Sequence, residues 1–333
     1  MACFLIFYLH TVESSSIIAY IAYIAQTLRC AKTAQECEEN MHRFLRAIGF
    51  NNITTQQEMK KLLGIIMDKP SWTKKVKYSS GNIYTEITKE FAAHTGITIR
   101  GEYDKLGFFH LEHYFPYCES MLVTSHEDVT INHRVDTSAF TGMCDDYRLG
   151  ISMIFYLQNA VDYLHLACPE NTPCKAKLSL SGLSLSGIII LGTEQNKDAQ
   201  EKRNLRTHIR NQLIAKAKNG DQDAIDSLTV DEIDLSTRIN KRIKTEDLYS
   251  IVETSFIPYG SESDNYSILG TILNWSRANN PYTNENIYEL LINCNDVVMN
   301  ISINSKDLVG EPMVGRRFKG TIWMQGHAGF LRI

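Results

Sequence analysis

Two adjacent carboxylates, Asp145 and Asp146, stand beside Cys144 in the stretch Thr141-Gly-Met-Cys-Asp-Asp146. Neighbouring aspartates can share a divalent metal, or one can cap a helix while the other meets a substrate, which makes them the catalytic candidates. The plainer reading is capping alone, because a helix N-terminus favours acidic residues through its dipole and unpaired N–H groups. Four histidines form a second group. His110 and His113 bracket Leu111 and Glu112, and His126 and His133 follow where a neighbouring strand is expected. Across a sheet they could make a His/Glu metal set, although residues three apart on one strand point to opposite faces. A third group is basic: Arg316, Arg317 and Lys319, with Trp323 and Tyr266 as aromatic neighbours. Cations beside exposed rings suit single-stranded nucleic acid, whose phosphates and bases they would hold.

Several other chemistries are disfavoured. No Gly-x-Ser-x-Gly, P-loop, Gly-x-Gly-x-x-Gly or His-Glu-x-x-His occurs. Ser181–Gly187 is rich in Gly and Ser, but it lies inside an apolar strand pattern and reads as a hairpin. The eight cysteines have no Cys-x-x-Cys pair; only Cys168 and Cys174 are near neighbours, in a loop with Pro169 and Pro173. Irregular spacing fits buried thiols in a reducing cytoplasm better than a disulfide framework or zinc ribbon. The net charge of −4 is unlike that of a protein gripping duplex phosphates. The basic runs Lys202–Arg210 and Arg238–Lys244 are interspersed with or flanked by Glu194, Glu201, Glu246 and Asp247, so they read as solvated helix faces. A protein partner or a small ligand is therefore favoured over nucleic acid, and no cofactor is expected. The apolar run Ile17–Leu28 falls short of the about 20 residues of a membrane span. No Lys or Arg precedes Arg29 to make a signal peptide, so no membrane role is expected.

Those groups must be positioned by elements that the pattern also predicts. A chain of 333 residues, 44% hydrophobic and 22% charged, has ordinary globular composition and a length suited to two domains. Residues 1–40 do not match the rest, and Met41 looks like a protein start, so 1–40 is expected to be mistranslated upstream sequence or an N-terminal arm. Residues 41–195 read as a mixed α/β-sheet domain. A helix over Met41–Phe50 stops at Gly49, a second is capped by Thr54 or Thr55, and Lys69-Pro70 ends it. Strands follow at Tyr84–Phe91, Ile97–Tyr103 and Phe108–Tyr114, with Asp104–Gly107 as a hairpin link and Pro116 closing the last. Another strand is expected at Ile131–Val135, a tight loop at Thr141–Asp146, a buried helix over Leu149–Leu166, and a strand pair over Leu178–Leu191. Residues 196–247 read as a helical connector. In 248–333, strands at Leu248–Phe256, Tyr266–Trp275, Ile287–Asn293, Val297–Ile303 and Arg317–Gln325 suggest a small antiparallel barrel or sandwich, with an OB-like barrel as one form. The class is α+β.

Four stretches carry a resemblance. They are Met41-His-Arg-Phe-Leu-Arg-Ala-Ile-Gly-Phe50, Tyr114-Phe-Pro-Tyr117, Ile154-Phe-Tyr-Leu-Gln-Asn159 and the Gly310–Gly326 region. Together they resemble an uncharacterised bacterial family, domain of unknown function 3881, from Met41 to about Gly326. The resemblance implies a soluble bacterial protein of one whole-length type. It brings no activity, cofactor or site residue with it, and the leading expectation is a non-catalytic binding or interaction module. A hydrolase-like or metal-dependent enzyme using Asp145 and Asp146, or a single-strand binder using the C-terminal β unit, are the alternatives.

Overall fold

Gly49 ends the first helical turn among the described residues. With φ at 82° it takes the left-handed conformation that glycine tolerates, and it stops a 3-10 helix, Arg43–Ile48, whose Phe44, Leu45, Ala47 and Ile48 are all buried. The expected helix is present in this tighter form. The computed structural model describes residues 42–78, 81–134, 139–146, 148, 151–166, 172–191, 209, 212–217, 220–228, 254–259 and 263–331. Thr55 then caps the α-helix Gln56–Asp68: its side chain accepts from the Glu58 N–H while Glu58 returns a bond to the cap backbone. This reciprocal pairing satisfies two donors that the first turn leaves open.

Four strands follow, β1 (Trp72–Lys77), β2 (Ile83–Ala92), β3 (Thr95–Tyr103) and β4 (Phe109–Cys118), in an antiparallel sheet of order 1-2-3-4. Period-two alternation gives this sheet two different faces. Ile87, Ile97 and Ile99 pack with Leu62 and Ile66 of the capped helix. The opposite face bears Glu86, Thr88, Thr98 and Arg100. The Asp104–Gly107 link is a tight turn, with the Gly107 N–H donating to the Asp104 carbonyl at 3.1 Å. Pro116 does not end β4; it stands opposite Ile97 inside the ladder. A proline is tolerated there because β4 is an edge strand.

The second sheet is large and mixed. Its strands are β5 (Val129–Arg134), β6 (Ala139–Asp146), β7 (Ile151–Leu157), β8 (Pro173–Cys174), β9 (Ala176–Ile190), β10 (Ser255–Pro258), β11 (Asn265–Asn280), β12 (Glu285–Cys294), β13 (Val297–Asn304), β14 (Leu308–Val309) and β15 (Arg317–Phe330). The ladder runs β10-β11-β12-β13-β9-β15-β7-β6-β5-β8, with β14 on β9 and a further β11–β15 pairing. The β13–β9, β14–β9 and β15–β7 pairs are parallel. The protein is thus mostly β, within an α+β class; the pairings among the C-terminal strands β10–β15 are antiparallel, and the parallel pairs join them to β9 and β7.

Three local expectations are corrected. Thr141–Asp146 lies within strand β6 and is not a loop. The predicted helix over Leu149–Leu166 is instead β7, followed by the short helix Ala160–Leu164. Met153, Phe155, Tyr156 and Leu157 are all buried, so both faces are covered at the C-terminal end of β7, and an apolar run of that kind has no period to separate strand from helix. Leu178–Leu191 is one long strand, β9, whose Gly182 and Gly187 lie beneath Ile322 and Phe318. Glycine there makes room for a neighbouring strand, not for a turn.

Strands from both sides of the expected domain boundary share this sheet. β9 pairs with β15 from Ala176/Phe330 to Ile190/Arg317. In β15 the expected inward residues Phe318, Ile322 and Met324 are fully buried. Gly320 marks a close approach of strands, since a Cβ there would lie 2.7 Å from the Ser186 carbonyl. Of the 196–247 connector, 209, 212–217 and 222–228 are helical and 220–221 form the turn between helices; its other residues, residues 1–41 and the basic runs near 202–206 and 238–244 lie outside the described residues. Among the described residues no helix is long and apolar enough to cross a membrane.

A polar cavity between the two sheets

Cross-strand register builds the site. Lys74, Glu86, Arg100 and His113 lie opposite one another across β1, β2, β3 and β4, and the next row is Trp72, Thr88, Thr98 and Phe115. Charged residues at inward positions of a sheet are costly unless paired, and here they are. Arg100 is fully buried. Its Nε donates to Glu86 at 2.9 Å, one terminal nitrogen to the Tyr156 hydroxyl at 2.9 Å, and the other to the carbonyls of Leu157 at 2.8 Å and Gln158 at 3.0 Å. The guanidinium also lies 4.6 Å from the centre of the Phe115 ring.

Glu86 accepts a second bond from the Ala160 N–H at 3.0 Å, so the pair fixes the start of the short helix of the other sheet. Burial raises the Glu86 pKa against the opposing pull of Arg100. Because a guanidinium does not give up its proton, the two form an ionised pair. Tyr156 accepts from Arg100, which leaves its own proton for His113 Nε2 at 2.8 Å. Burial, then the Arg100 charge, lowers the His113 pKa to about 3 and keeps this imidazole neutral.

Beside this network is a cavity of about 290 Å³. Glu86, Thr88 and Thr98 form its floor, Trp72 and Tyr117 one wall, and Gln158, Asn159 and His327 the side belonging to the large sheet, with Lys74 and Glu119 also in the lining. Gly96 gives Tyr117 its place, since a Cβ at that position would come within 2.7 Å of the Tyr117 hydroxyl. Most of the lining is committed. The Thr88 and Thr98 hydroxyls bond each other at 2.9 Å, and Lys74 pairs with Asp162 at 2.7 Å. Gln158 donates to the Cys118 carbonyl at 2.8 Å and to Gln325 at 3.0 Å. Asn159 donates to Ala328 at 2.9 Å and accepts from it at 3.0 Å.

Three groups are not committed. Among the described residues the Tyr117 hydroxyl has no hydrogen-bond partner, although the residue is only 3% exposed. Burial, then nearby Glu119, raises its pKa. Glu119 is held by charge effects alone, and burial followed by Glu90 raises its pKa. Burial, then Lys74, lowers that of His327, leaving a neutral ring.

The candidates chosen from sequence lie elsewhere. Asp145 and Asp146 do not precede a helix; they project to opposite faces of β6, Asp145 exposed and Asp146 buried. Asp145 meets the Ser152 hydroxyl, while Asp146 holds Arg148 at 2.9 Å. The histidines do not converge. His110 is exposed and pairs with Asp104 at 3.0 Å, His113 is in the Arg100 network, His126 is exposed, and His133 packs on Phe140 at 4.6 Å. No group of three His, Cys, Asp or Glu that could hold a metal occurs among the described residues. Trp323 is buried and not exposed as expected: its indole N–H donates to Asp264 at 2.8 Å and its ring stacks on Phe44. Arg317 is also buried, donating to the Leu191 carbonyl at 3.1 Å, and Arg316 bonds the Glu311 carbonyl at 2.9 Å. Lys319 is half-buried. Tyr266 bonds the Ile154 backbone. Arg100, Glu86, Tyr117, Glu119 and His327 were not singled out from sequence. A charge at an inward position of an alternating strand, as at Glu86 and Arg100, is the signal that points to them.

Fold and cavity define a mostly β protein in which a small antiparallel sheet packs on a large mixed one around a polar interior. The family described as "Domain of unknown function, E. rectale Gene description (DUF3881)" matches residues 45–326, and the chain belongs to it. No curated protein and no solved structure matches the chain.

Proposed function

We propose that the protein is a non-catalytic module that binds a small polar molecule in the cavity between its sheets. The observation that carries this reading is the Tyr117 hydroxyl, buried at the cavity wall without a partner. An unpaired buried hydroxyl costs on the order of 1–3 kcal/mol, a penalty that a bound molecule or water removes. The mix of two aromatic rings with a few polar groups is typical of small-molecule sites. The committed positions of Arg317 and Trp323 favour a small ligand over a nucleic-acid strand. Among the described residues the buried thiols Cys118, Cys144 and Cys294 are consistent with a reducing cytoplasm.

We also read the C-terminal strands with β9 as a small barrel. β11 pairs with β12, β12 with β13, β13 with β9, β9 with β15, and β15 again with β11. One parallel pair among five strands supports an OB-like order.

The binding reading is tested by native mass spectrometry of the full chain after incubation with a small-molecule extract of cells. A bound mass is expected, and Thr98→Trp, which fills the cavity, is expected to lose it. Equal retention by that variant, or no bound mass on the wild type, overturns the reading.

A further inference from the structure

The uncommitted chemistry of the cavity has one sign. Two lining charges are cancelled by partners outside the lining, Lys74 by Asp162 at 2.7 Å and Glu86 by Arg100 at 2.8 Å. That leaves the Glu119 carboxylate, with Glu90 as a second negative neighbour and His94 and Lys74 as the other charged or titratable groups acting on it. Glu90 is exposed and its carboxylate accepts from the His94 N–H at 2.9 Å. His327, neutral in this setting, supplies a ring nitrogen and not a further positive charge. The Trp72 and Tyr117 rings lie 6.4 Å apart at 58° and form an aromatic wall.

Resting on the cavity reading above, we propose that the ligand is a small organic cation, a protonated amine whose ammonium meets Glu119 and whose stem lies against Trp72 and Tyr117. A carboxylate next to aromatic faces is the combination that binds ammonium groups by ion pairing and cation–π attraction. An anion would be repelled by Glu119 and Glu90. A neutral polyol would leave the half-buried Glu119 carboxylate without an ion-pair partner. At about 290 Å³ the cavity is at the small end of ligand sites, suited to an amine of a few carbons. Burial and Glu90 raise the Glu119 pKa; an arriving cation reverses that effect, so binding is coupled to proton release near the pH at which Glu119 titrates.

The test is isothermal titration of the full chain at neutral pH with three probes of different charge: putrescine, glucose and citrate. Putrescine is expected to bind, and Glu119→Gln to weaken it by about tenfold or more, as loss of a charge-assisted contact does. Trp72→Ala is expected to weaken it further. Putrescine that binds Glu119→Gln as well as wild type overturns the cation assignment. So does glucose or citrate binding in its place, although the cavity reading then stands. If none of the three binds, the cation assignment falls; a bound mass from cell extract that Thr98→Trp loses would still uphold the cavity, and its absence would sink both.

Discussion

Glu86 and Arg100 face each other across β2 and β3, joined at 2.9 Å with neither side chain more than 5% exposed. Removing one partner strands the other charge in the interior. Arg100→Leu is therefore expected to cost about 3–5 kcal/mol, and a Glu86→Leu/Arg100→Leu double variant distinctly less than the sum of the two single changes. Chemical denaturation of the three variants checks this; additive losses would refute the coupling.

His113 predicts an acid transition. Its folded pKa of about 3 lies below the ordinary value of 6.5, so the unfolded chain binds the extra proton. The stability that depends on its neutral form is complete above pH 6.5 and is lost as pH falls toward 3, at up to about 1.4 kcal/mol per pH unit. Glu58, Asp104, Asp146 and Asp162, whose pKa values are lowered, add their own losses at more acidic pH. His113→Gln keeps an acceptor for Tyr156 and is expected to flatten the upper part of the profile. Unfolding midpoints at half-unit steps from pH 7 to 4 would show it.

Gln325 joins the sheets from the other side. It is fully buried, donates to the Pro116 carbonyl at 2.8 Å and accepts from Gln158 at 3.0 Å and from the Cys118 N–H at 3.3 Å. Gln325→Leu removes the side-chain partner of the Pro116 carbonyl and of the Cys118 N–H, and one of the three acceptors of Gln158, and is expected to lose about 2–4 kcal/mol. It also loosens Gln158 at the cavity wall, which keeps its bonds to the Cys118 carbonyl and Ser181, so ligand affinity should fall along with thermal stability.

Asp145 and Asp146 give a contrast. Asp146→Ala removes the carboxylate that holds Arg148, which also bonds the Thr124 carbonyl at 2.7 Å, and is expected to cost about 2–3 kcal/mol. Asp145→Ala, at an exposed position, should stay within about 0.5 kcal/mol. Equal losses, or metal bound by wild type and lost in both variants, would restore the paired-carboxylate reading.

Local chemistry was legible in the sequence wherever one residue sets the backbone or one face is exposed. A cap at Thr54 or Thr55, the stop at Gly49, the Asp104–Gly107 turn and the strand Arg317–Gln325 all depend on neighbours a few positions away. The tertiary structure alone decided that the apolar run of β7 is a strand and that β9 continues without a turn, because neither run carries a sustained polar period to read. It alone decided the pairing of β9 with β15, since register between segments more than a hundred residues apart leaves no local mark. The site follows the same rule. Glu86 and Arg100 are 14 residues apart in the chain, and Tyr117, Glu119 and His327 come from β4, the loop after it and β15. What unites them is cross-strand register and the packing of one sheet on another, while the adjacent Asp145 and Asp146, conspicuous in sequence, are parted by the two-residue period of the strand that carries them.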